Sequence, residues 1–497
     1  MSVSRRFSIS SVVRGGFWLY LSSVIDNLAG FLYWMIVSAI VGPTVIGIAS
    51  AISGLASLFL SILNLGVGTG ATRFFGVYLG SDDEARLYEY FWTSFIFNSV
   101  VHVVAGIVIT LLGIAGYSVS SISGLMLVFA SLIIVGGIGA VPSSLITSMM
   151  KTEVIFTATT ISILFRFVVG ITLITIYNLG WVGVVIGNVV QLYTRLTIIT
   201  TYSIIRTRKM IYFSYRALKD VLIAGSPSWL PGLIASIGSW VGLLSVYVIS
   251  GALETGYYYV SSAISNVILM ISSSILALSF PVLSGMRDGR KRVLSQIMKI
   301  CLALTLPIST YVMFYPWVPL SLIGREYVSS STILTVLLIS TVPAIITSSI
   351  INLVYAYGRY LLVLIFNLVV SISRLVLYYY LVPNYGGLGS AIAFTVGNYV
   401  GLLTTLYIIK SINFVVDWYL IIKVILIPTL LGIPCFILNI NWFIALIFIT
   451  SSYIIYLKTK IISKNELKEI IKALRLEFLV SKIYSRYGDV INKILGY

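Results

Sequence analysis

Long apolar runs, each bounded by glycine, proline or charge, recur from Val13 to Leu457 and leave little chain between them. A helix of about 20 apolar residues crosses a bilayer, and inside hydrocarbon every backbone N–H and C=O must be satisfied within the element itself. A chain built almost entirely of such runs can therefore fold as a bundle of membrane-spanning helices and as little else. The runs are Val13 to Val41, Val45 to Leu65, Phe91 to Leu112, Ser123 to Met149, Val154 to Tyr177, Val182 to Ile205, Val221 to Ser250, Gly256 to Leu283, Val293 to Tyr315, Ser329 to Tyr355, Tyr360 to Leu381, Leu388 to Ile409, Val415 to Leu438 and Trp442 to Leu457. The expectation is an all-α polytopic membrane protein of about fourteen transmembrane helices.

Composition agrees. Of 497 residues 59% are hydrophobic and 9% charged, against about 25% charged in soluble domains, which excludes a soluble enzyme. The short connections leave no room for a folded catalytic domain, so any chemistry or transport takes place between helices. No G-x-x-x-x-G-K-[ST] loop is present, so nucleotide hydrolysis would need another subunit. Cys301 and Cys435 stand far apart without a C-x-x-C, and His102 is the single histidine, so neither a disulfide framework nor a metal cluster is supported. For His102 the sequence leaves ordinary packing and a proton relay open. No cofactor is expected, with a proton or sodium ion as the candidate coupling species. The run behind Arg5 and Arg6 exceeds a signal-peptide core and reads as a retained first span.

The net charge of +17 would suggest nucleic acid in a soluble protein; here it reads as positive-inside loops. With the N-terminus in the cytoplasm, Arg73, Arg86, Lys151, Arg206, Arg208, Lys209, Arg216, Arg287, Arg290, Lys291, Arg292, Arg359 and Lys410 fall on one side and only Arg325 on the other. This asymmetry predicts an even number of spans in the cell membrane, with both termini cytoplasmic. The turns Gly42-Pro43-Thr44, Asn178-Leu179-Gly180 and Gly251 to Thr255 then lie outside, too small to hold an active site.

The chain also repeats. Gly42 to Gly47 matches Gly251 to Gly256 at an offset of 209; Pro142 matches Pro343 at about 201; Arg166 matches Arg374 at 208; and Gly180-Trp181-Val182-Gly183 matches Gly386-Gly387-Leu388-Gly389 at 206. Two six-helix lobes, residues 1–216 and 217–410, are expected to be related by pseudo-twofold symmetry about the membrane normal. A helix pair, 411–458, and a cytoplasmic amphipathic tail, 459–497, follow; the tail carries Leu467, Ile470, Ile471 and Leu474 on one face, suited to a membrane surface.

A charge deep in a spanning helix costs at least about 2.5 to 3.5 kcal/mol on insertion scales and so marks protein-lined or watery surroundings. Asp26 shares a stripe with Ser22, Ser23, Gly30 and Tyr33; Arg166 with Thr159, Ser162 and Gly170; Arg374 with Asn367, Ser371 and Tyr378; Arg195 with Asn188, Gln191 and Tyr202. In the functional reading Arg166, Arg374 and Arg195 receive an anionic group in a central cavity, because a guanidinium donates paired hydrogen bonds to phosphate and stays charged when poorly hydrated. In the structural one, Arg166 or Arg195 pairs with Asp26 and ties helices together. Asp26 is the candidate for ion coupling or for that salt bridge. Pro142 and Pro343 are candidate hinges or fixed bends, and Lys299 and Lys423 are placed to snorkel to headgroups.

Further local motifs bear a resemblance. Leu65-Gly66-Val67-Gly68-Thr69-Gly70-Ala71-Thr72-Arg73-Phe74, Phe280-Pro281-Val282-Leu283-Ser284 and the Gly-Trp-Val-Gly opening of span six resemble the polysaccharide and lipid-linked oligosaccharide flippases, Wzx-like, of the multidrug, oligosaccharidyl-lipid and polysaccharide exporter superfamily. The resemblance covers about residues 10 to 458. It implies translocation of an isoprenoid-diphosphate-linked oligosaccharide by alternating access between two lobes, with Arg73 at the cytoplasmic entrance. The implied partners are the lipid-linked glycan, membrane lipids and glycan-assembly enzymes, with no nucleic acid. It departs from the lipid II branch, which carries cavity arginines on its first and eighth helices where this chain has Asp26 and no Lys or Arg before Arg287. Two rivals stay open: a multidrug and toxin cation antiporter, which would use carboxylates, and a membrane glycosyltransferase or polymerase, which would need a substantial outer loop.

Overall fold

The computed structural model describes residues 9–118, 121–207, 211–286, 288–459 and 461–462. Arg5, Arg6, Arg208, Lys209, Arg287 and the tail from 463 onward lie outside them. The elements are helical throughout, with no strand among the described residues. In chain order they are α1 (Ile9–Leu63), α2 (Val67–Gly80), α3 (Glu84–Ile114), α4 (Gly124–Val135), α5 (Ala140–Ser148), α6 (Glu153–Thr175), α7 (Gly180–Thr207), α8 (Tyr215–Gly285), α9 (Arg290–Phe314), α10 (Trp317–Ile323), α11 (Ser331–Ile339), α12 (Thr341–Ala356), α13 (Tyr360–Ser411), α14 (Trp418–Ile437), α15 (Trp442–Thr450) and α16 (Ser452–Lys458). Among the described residues ten helical stretches are long and apolar enough to cross a membrane, and the chain is a multi-pass membrane protein.

Three of the long helices are broken by one glycine each: Gly42 (φ 76°) in α1, Gly251 (φ 87°) in α8 and Gly386 (φ 52°) in α13. All three lie in the left-handed region, which glycine adopts without a Cβ penalty. They coincide with sequence positions expected to be turns, so the breaks are shorter than loops. Thr255, placed in the second of these turns by the sequence, is instead helical and fully buried, its hydroxyl donating to the Gly251 carbonyl at 2.8 Å.

The helical hydrogen-bonding pattern changes just before each of the two prolines. A 3-10 turn, Gly136–Gly139, separates α4 from α5, and Pro142 stands in the first turn of α5. Ser340 separates α11 from α12, and Pro343 stands in the first turn of α12. At a helix start the missing N–H costs no intrahelical bond. His102 packs on the 3-10 turn: its Nδ1 is 2.8 Å from the Asn98 carbonyl oxygen, and Asn98 donates to the Gly137 carbonyl at 3.0 Å.

The chain divides into two compact units. One comprises Met1–Ala263, Ile323–Ile333 and Tyr360–Gly397; the other comprises Ile264–Leu322, Leu334–Arg359 and Asn398–Tyr497. In the second, α9 packs on α14 where Gly432 makes room for the Phe314 ring, and the Tyr315 hydroxyl donates to the Cys435 carbonyl at 3.0 Å. Arg290 donates to the Ala356 carbonyl at 3.2 Å, closing the start of α9 onto the end of α12.

In the first unit the repeat has a physical counterpart. Tyr33 of α1 fills the space left by Gly170 of α6, where an added Cβ would lie 2.3 Å from the Tyr33 hydroxyl. Tyr378 of α13 fills the space left by Gly242 of α8, where an added Cβ would lie 2.6 Å from the ring. By the repeat offsets Tyr33 is equivalent to Gly242, and Gly170 to Tyr378. The same tyrosine-on-glycine contact is thus made in each half with the partners exchanged.

A second symmetric contact joins α1 to α8. A Cβ on Gly47 would lie 1.8 Å from the Ala252 carbonyl oxygen, and one on Gly256 would lie 1.9 Å from the Pro43 carbonyl oxygen. The two backbones touch just beyond their glycine breaks. Just past the end of α1, Gly66 (φ 74°), which caps α2, meets Gly225, and Gly70 of α2 lies on the Val221 carbonyl. α8 is thus met closely by α1 at one end and by the start of α2 at the other.

Candidate functional site

Asp26, Arg166, Arg195 and Arg374 all lie in the first unit, the first three in one hydrogen-bonded network and Arg374 among neighbours of its own. Asp26 of α1 faces two donors from α7: Arg195 Nη1 lies 3.4 Å from its Oδ2, and Gln191 Nε2 donates to its Oδ1 at 3.1 Å. The Gln191 amide oxygen in turn accepts from Arg166 Nη1 of α6 at 3.0 Å. One glutamine thus relays between the aspartate and the buried arginine. Of the structural pairings open in the sequence, Arg195 with Asp26 is the direct one; Arg166 reaches Asp26 only through Gln191.

Burial separates these groups. The Arg195 and Asp26 side chains are 34% and 37% exposed, whereas Arg166 and Arg374 are each 7% exposed. Arg166 lies over the Tyr33 ring with its guanidinium carbon 3.9 Å from the centroid, and Trp34 is 5.9 Å away. The negative face of a ring offsets part of the cost of burying a cation. The Arg166 Nε–H has no acceptor. Trp34 meets Tyr259 of α8 edge-on at 4.9 Å, and that tyrosine stands close enough to act on the Arg166 charge.

Arg374 is held differently. It lies over the Phe394 ring at 4.1 Å, and Gly397 leaves the space its stem occupies, an added Cβ there falling 2.4 Å from Arg374 Cγ. By the 206 offset Gly397 is the equivalent of Gln191. Where the first half places a polar relay, the second places a gap. Around Arg374, α13 is fixed to α8 by Asn367, Ser371 and Tyr378, which donate to the carbonyls of Pro231, Ile234 and Gly238 at 3.1, 2.8 and 3.0 Å. Tyr258, the neighbour of Tyr259, stands near Arg374. Adjacent tyrosines of α8 thus serve the two arginines.

The Arg166 partners Gln191, Tyr33 and Trp34, and the Arg374 partners Phe394 and Gly397, were not assigned roles from the sequence. A hairpin geometry could have found two of them. Arg166 and Gln191 are nearly equidistant from the Asn178-Leu179-Gly180 turn, and Arg374 and Gly397 nearly equidistant from the Gly386 break. Arg73 stands elsewhere, exposed on α2, at an open cavity of about 490 Å³ lined by Asn64, Gly68, Thr69, Thr72, Arg73, Ala140 and Ser144. Pro142 lies on the α5 turn beside that cavity.

Residues 51–332 match the family described as "Polysaccharide biosynthesis protein". No curated protein matches the chain. Among solved structures, the chain shares its fold with a lipid II flippase, MurJ, in an inward closed conformation, at TM-score 0.73 and 17% identity over 88% of this chain and 97% of that one. An inward-facing multidrug resistance MATE family transporter of the MOP superfamily aligns at TM-score 0.65 and 16% identity, covering 80% and 97%. A MOP superfamily transporter from Pyrococcus furiosus with a binding pocket of reverse polarity aligns at TM-score 0.56 and 15% identity, covering 80% and 94%.

Proposed function

Because the chain belongs to the polysaccharide biosynthesis protein family, we propose that it is a flippase. It carries an isoprenoid-diphosphate-linked oligosaccharide across the cell membrane and catalyses no bond change. The observation that carries this reading is the pair of repeat-equivalent arginines, Arg166 and Arg374, each buried against an aromatic ring inside a membrane bundle. Buried cations are costly in hydrocarbon surroundings, and a diphosphate supplies the acceptor oxygens that guanidinium groups bind in pairs. The Arg166 Nε–H, which meets no acceptor in this conformation, is available to such a ligand. Arg195 adds a third, more open cation, held by Asp26 until substrate or a coupling proton or sodium ion competes for the carboxylate.

The contacts support a cycle of alternating access. A diphosphate and a hydroxyl-rich glycan cannot cross hydrocarbon unaided, whereas an isoprenoid tail can remain in it. The glycine crossing of α1 on α8 at Gly47 and Gly256 closes one end of the path, and the contacts of Gly66 and Gly70 with α8 close the other. Alternating access opens them in turn, with the two six-helix lobes, 1–216 and 217–410, as moving parts and the interruptions before Pro142 and Pro343 as hinges. A cation antiporter is disfavoured by the chemistry: arginines outnumber the single carboxylate in this cluster.

We place both termini in the cytoplasm and count fourteen crossings by dividing α1, α8 and α13 at their glycines and adding the α15–α16 segment. Cysteine labelling of intact cells tests this. Leu253, 45% exposed beside the Gly251 break, replaced by Cys should react with an impermeant thiol reagent from outside, and Asp288→Cys should react only after permeabilisation; the reverse pattern overturns the orientation. The function itself is tested by deleting the gene and analysing lipid-linked sugars. Accumulation of a complete diphosphate-linked oligosaccharide on the cytoplasmic leaflet is the expected result, and an unchanged lipid-linked pool contradicts the proposal.

A further inference from the structure

The cavity at α2 takes no part in the arginine cluster, yet its lining is chemically specific. α2 has two faces. Val67, Ala71 and Phe75 are buried in a cluster with Leu87, Phe91, Val141 and Val221, while Gly68, Thr69, Thr72 and Arg73 turn toward the cavity. Its seat is fixed by close backbone approach, because Gly66 meets Gly225 and Gly70 rests on the Val221 carbonyl. The wall is thus organised before any ligand arrives, which lowers the ordering cost of binding.

The hydrogen-bonding capacity of the wall can be assigned atom by atom. The Asn64 amide oxygen is occupied by the Gly66 N–H at 3.2 Å, leaving its Nδ2 to donate. The Thr72 hydroxyl donates to the Gly68 carbonyl at 2.8 Å, and the Ser144 hydroxyl has the carbonyls of Ala140 and Gly68 as alternative acceptors at 2.9 and 3.0 Å. These two hydroxyls therefore present lone pairs to the cavity. Arg73 meets no carboxylate among the described residues, and no acidic side chain lines the cavity. Donors with a fixed positive charge suit phosphate oxygens, and acceptor lone pairs beside them suit sugar hydroxyls. About 490 Å³ lies within the ordinary range of small-molecule sites.

We infer that this cavity is a loading site that binds the diphosphate-linked sugar of the lipid substrate at Arg73, apart from Arg166 and Arg374. The inference rests on the flippase reading for its source of ligand. The same chemistry is carried by a soluble nucleotide sugar, and the experiment separates the two. Purified full-length protein in nanodiscs is titrated with farnesyl-diphosphate-N-acetylglucosamine and, in a second arm, with UDP-N-acetylglucosamine. The farnesyl compound should bind, Arg73→Gln should weaken it about tenfold or more, as loss of charge-assisted hydrogen bonds does, and Arg73→Lys should recover part of the loss. UDP-N-acetylglucosamine should bind at least tenfold more weakly. Absence of binding to the wild type, or equal affinity in Arg73→Gln, overturns the loading site; binding of the nucleotide sugar as tight as the lipid, with the same dependence on Arg73, overturns the lipid source. Translocation by the wild type in liposomes is scored separately. Flipping with an Arg73-independent affinity rejects the cavity alone, and Arg73-dependent binding without flipping rejects the flippase reading alone.

Discussion

Gly256→Leu should reduce translocation to the protein-free background. At this position an added Cβ would fall 1.9 Å from the Pro43 carbonyl oxygen, and its repeat equivalent Gly47 faces the Ala252 carbonyl at 1.8 Å. Backbone cannot yield as a side chain can, so α1 and α8 must separate at this crossing. Overpacking of a well-fitted contact costs about 1–3 kcal/mol, and here the clash falls on main chain on both sides. The variant should insert and remain folded, because the open arrangement relieves the clash, but it cannot return to the closed one. Gly47→Leu should behave alike. Gly232→Leu, at a glycine of α8 with nothing within 4 Å of its added Cβ, should transport normally. Flipping by Gly256→Leu within twofold of the wild type would show that this closure is no part of the cycle.

The second large effect is expected from the double variant Arg166→Gln, Arg374→Gln. Glutamine keeps much of the side-chain length and removes the charge, a better probe than alanine here, since Arg166 is packed on Tyr33 and truncation would leave a void and strand the Gln191 oxygen. Hydrogen bonds to charged groups contribute about 1.5–3 kcal/mol each, so losing one from each arginine should lower the flipping rate on the order of 100-fold or more. Lysine at both positions keeps charge without the planar fork and should give an intermediate rate if attraction dominates, and little if paired hydrogen bonding does. Elution as a monodisperse species, with a Tm close to that of the wild type, guards against misfolding. An undiminished rate in the double glutamine variant returns both arginines to a structural role.

Much of this arrangement was legible in the sequence because charge is conspicuous in apolar runs. Asp26, Arg166, Arg195 and Arg374 stood out for that reason, and the first three lie in one hydrogen-bonded network. The partners were harder to see. Gln191, Tyr33 and Phe394 are ordinary residues on ordinary helical stripes, and only the antiparallel fold-back at each turn brings them to the arginines. The exchange of tyrosine for glycine between the halves was hidden because a contact, rather than a residue type, is repeated. The helix α2 is hard to read from sequence: Gly68, Gly70 and Gly76 oppose helix formation by propensity, but burial of Val67, Ala71 and Phe75 overrides it. Thr255 falls within the helix because a single glycine in the left-handed region does the work expected of a five-residue turn.

The central claim is that this protein moves a diphosphate-linked glycan lipid from one leaflet to the other. Purified wild-type protein reconstituted into liposomes with a labelled isoprenoid-diphosphate sugar tests it most directly, with the label read by an impermeant enzyme or quencher acting on the outer leaflet. The account predicts time-dependent exposure of the inner-leaflet label, proportional to protein and absent for the same lipid carrying a neutral headgroup. Inner-leaflet label that stays protected at the rate of protein-free vesicles, from a protein shown to be folded and inserted in both orientations, would contradict it.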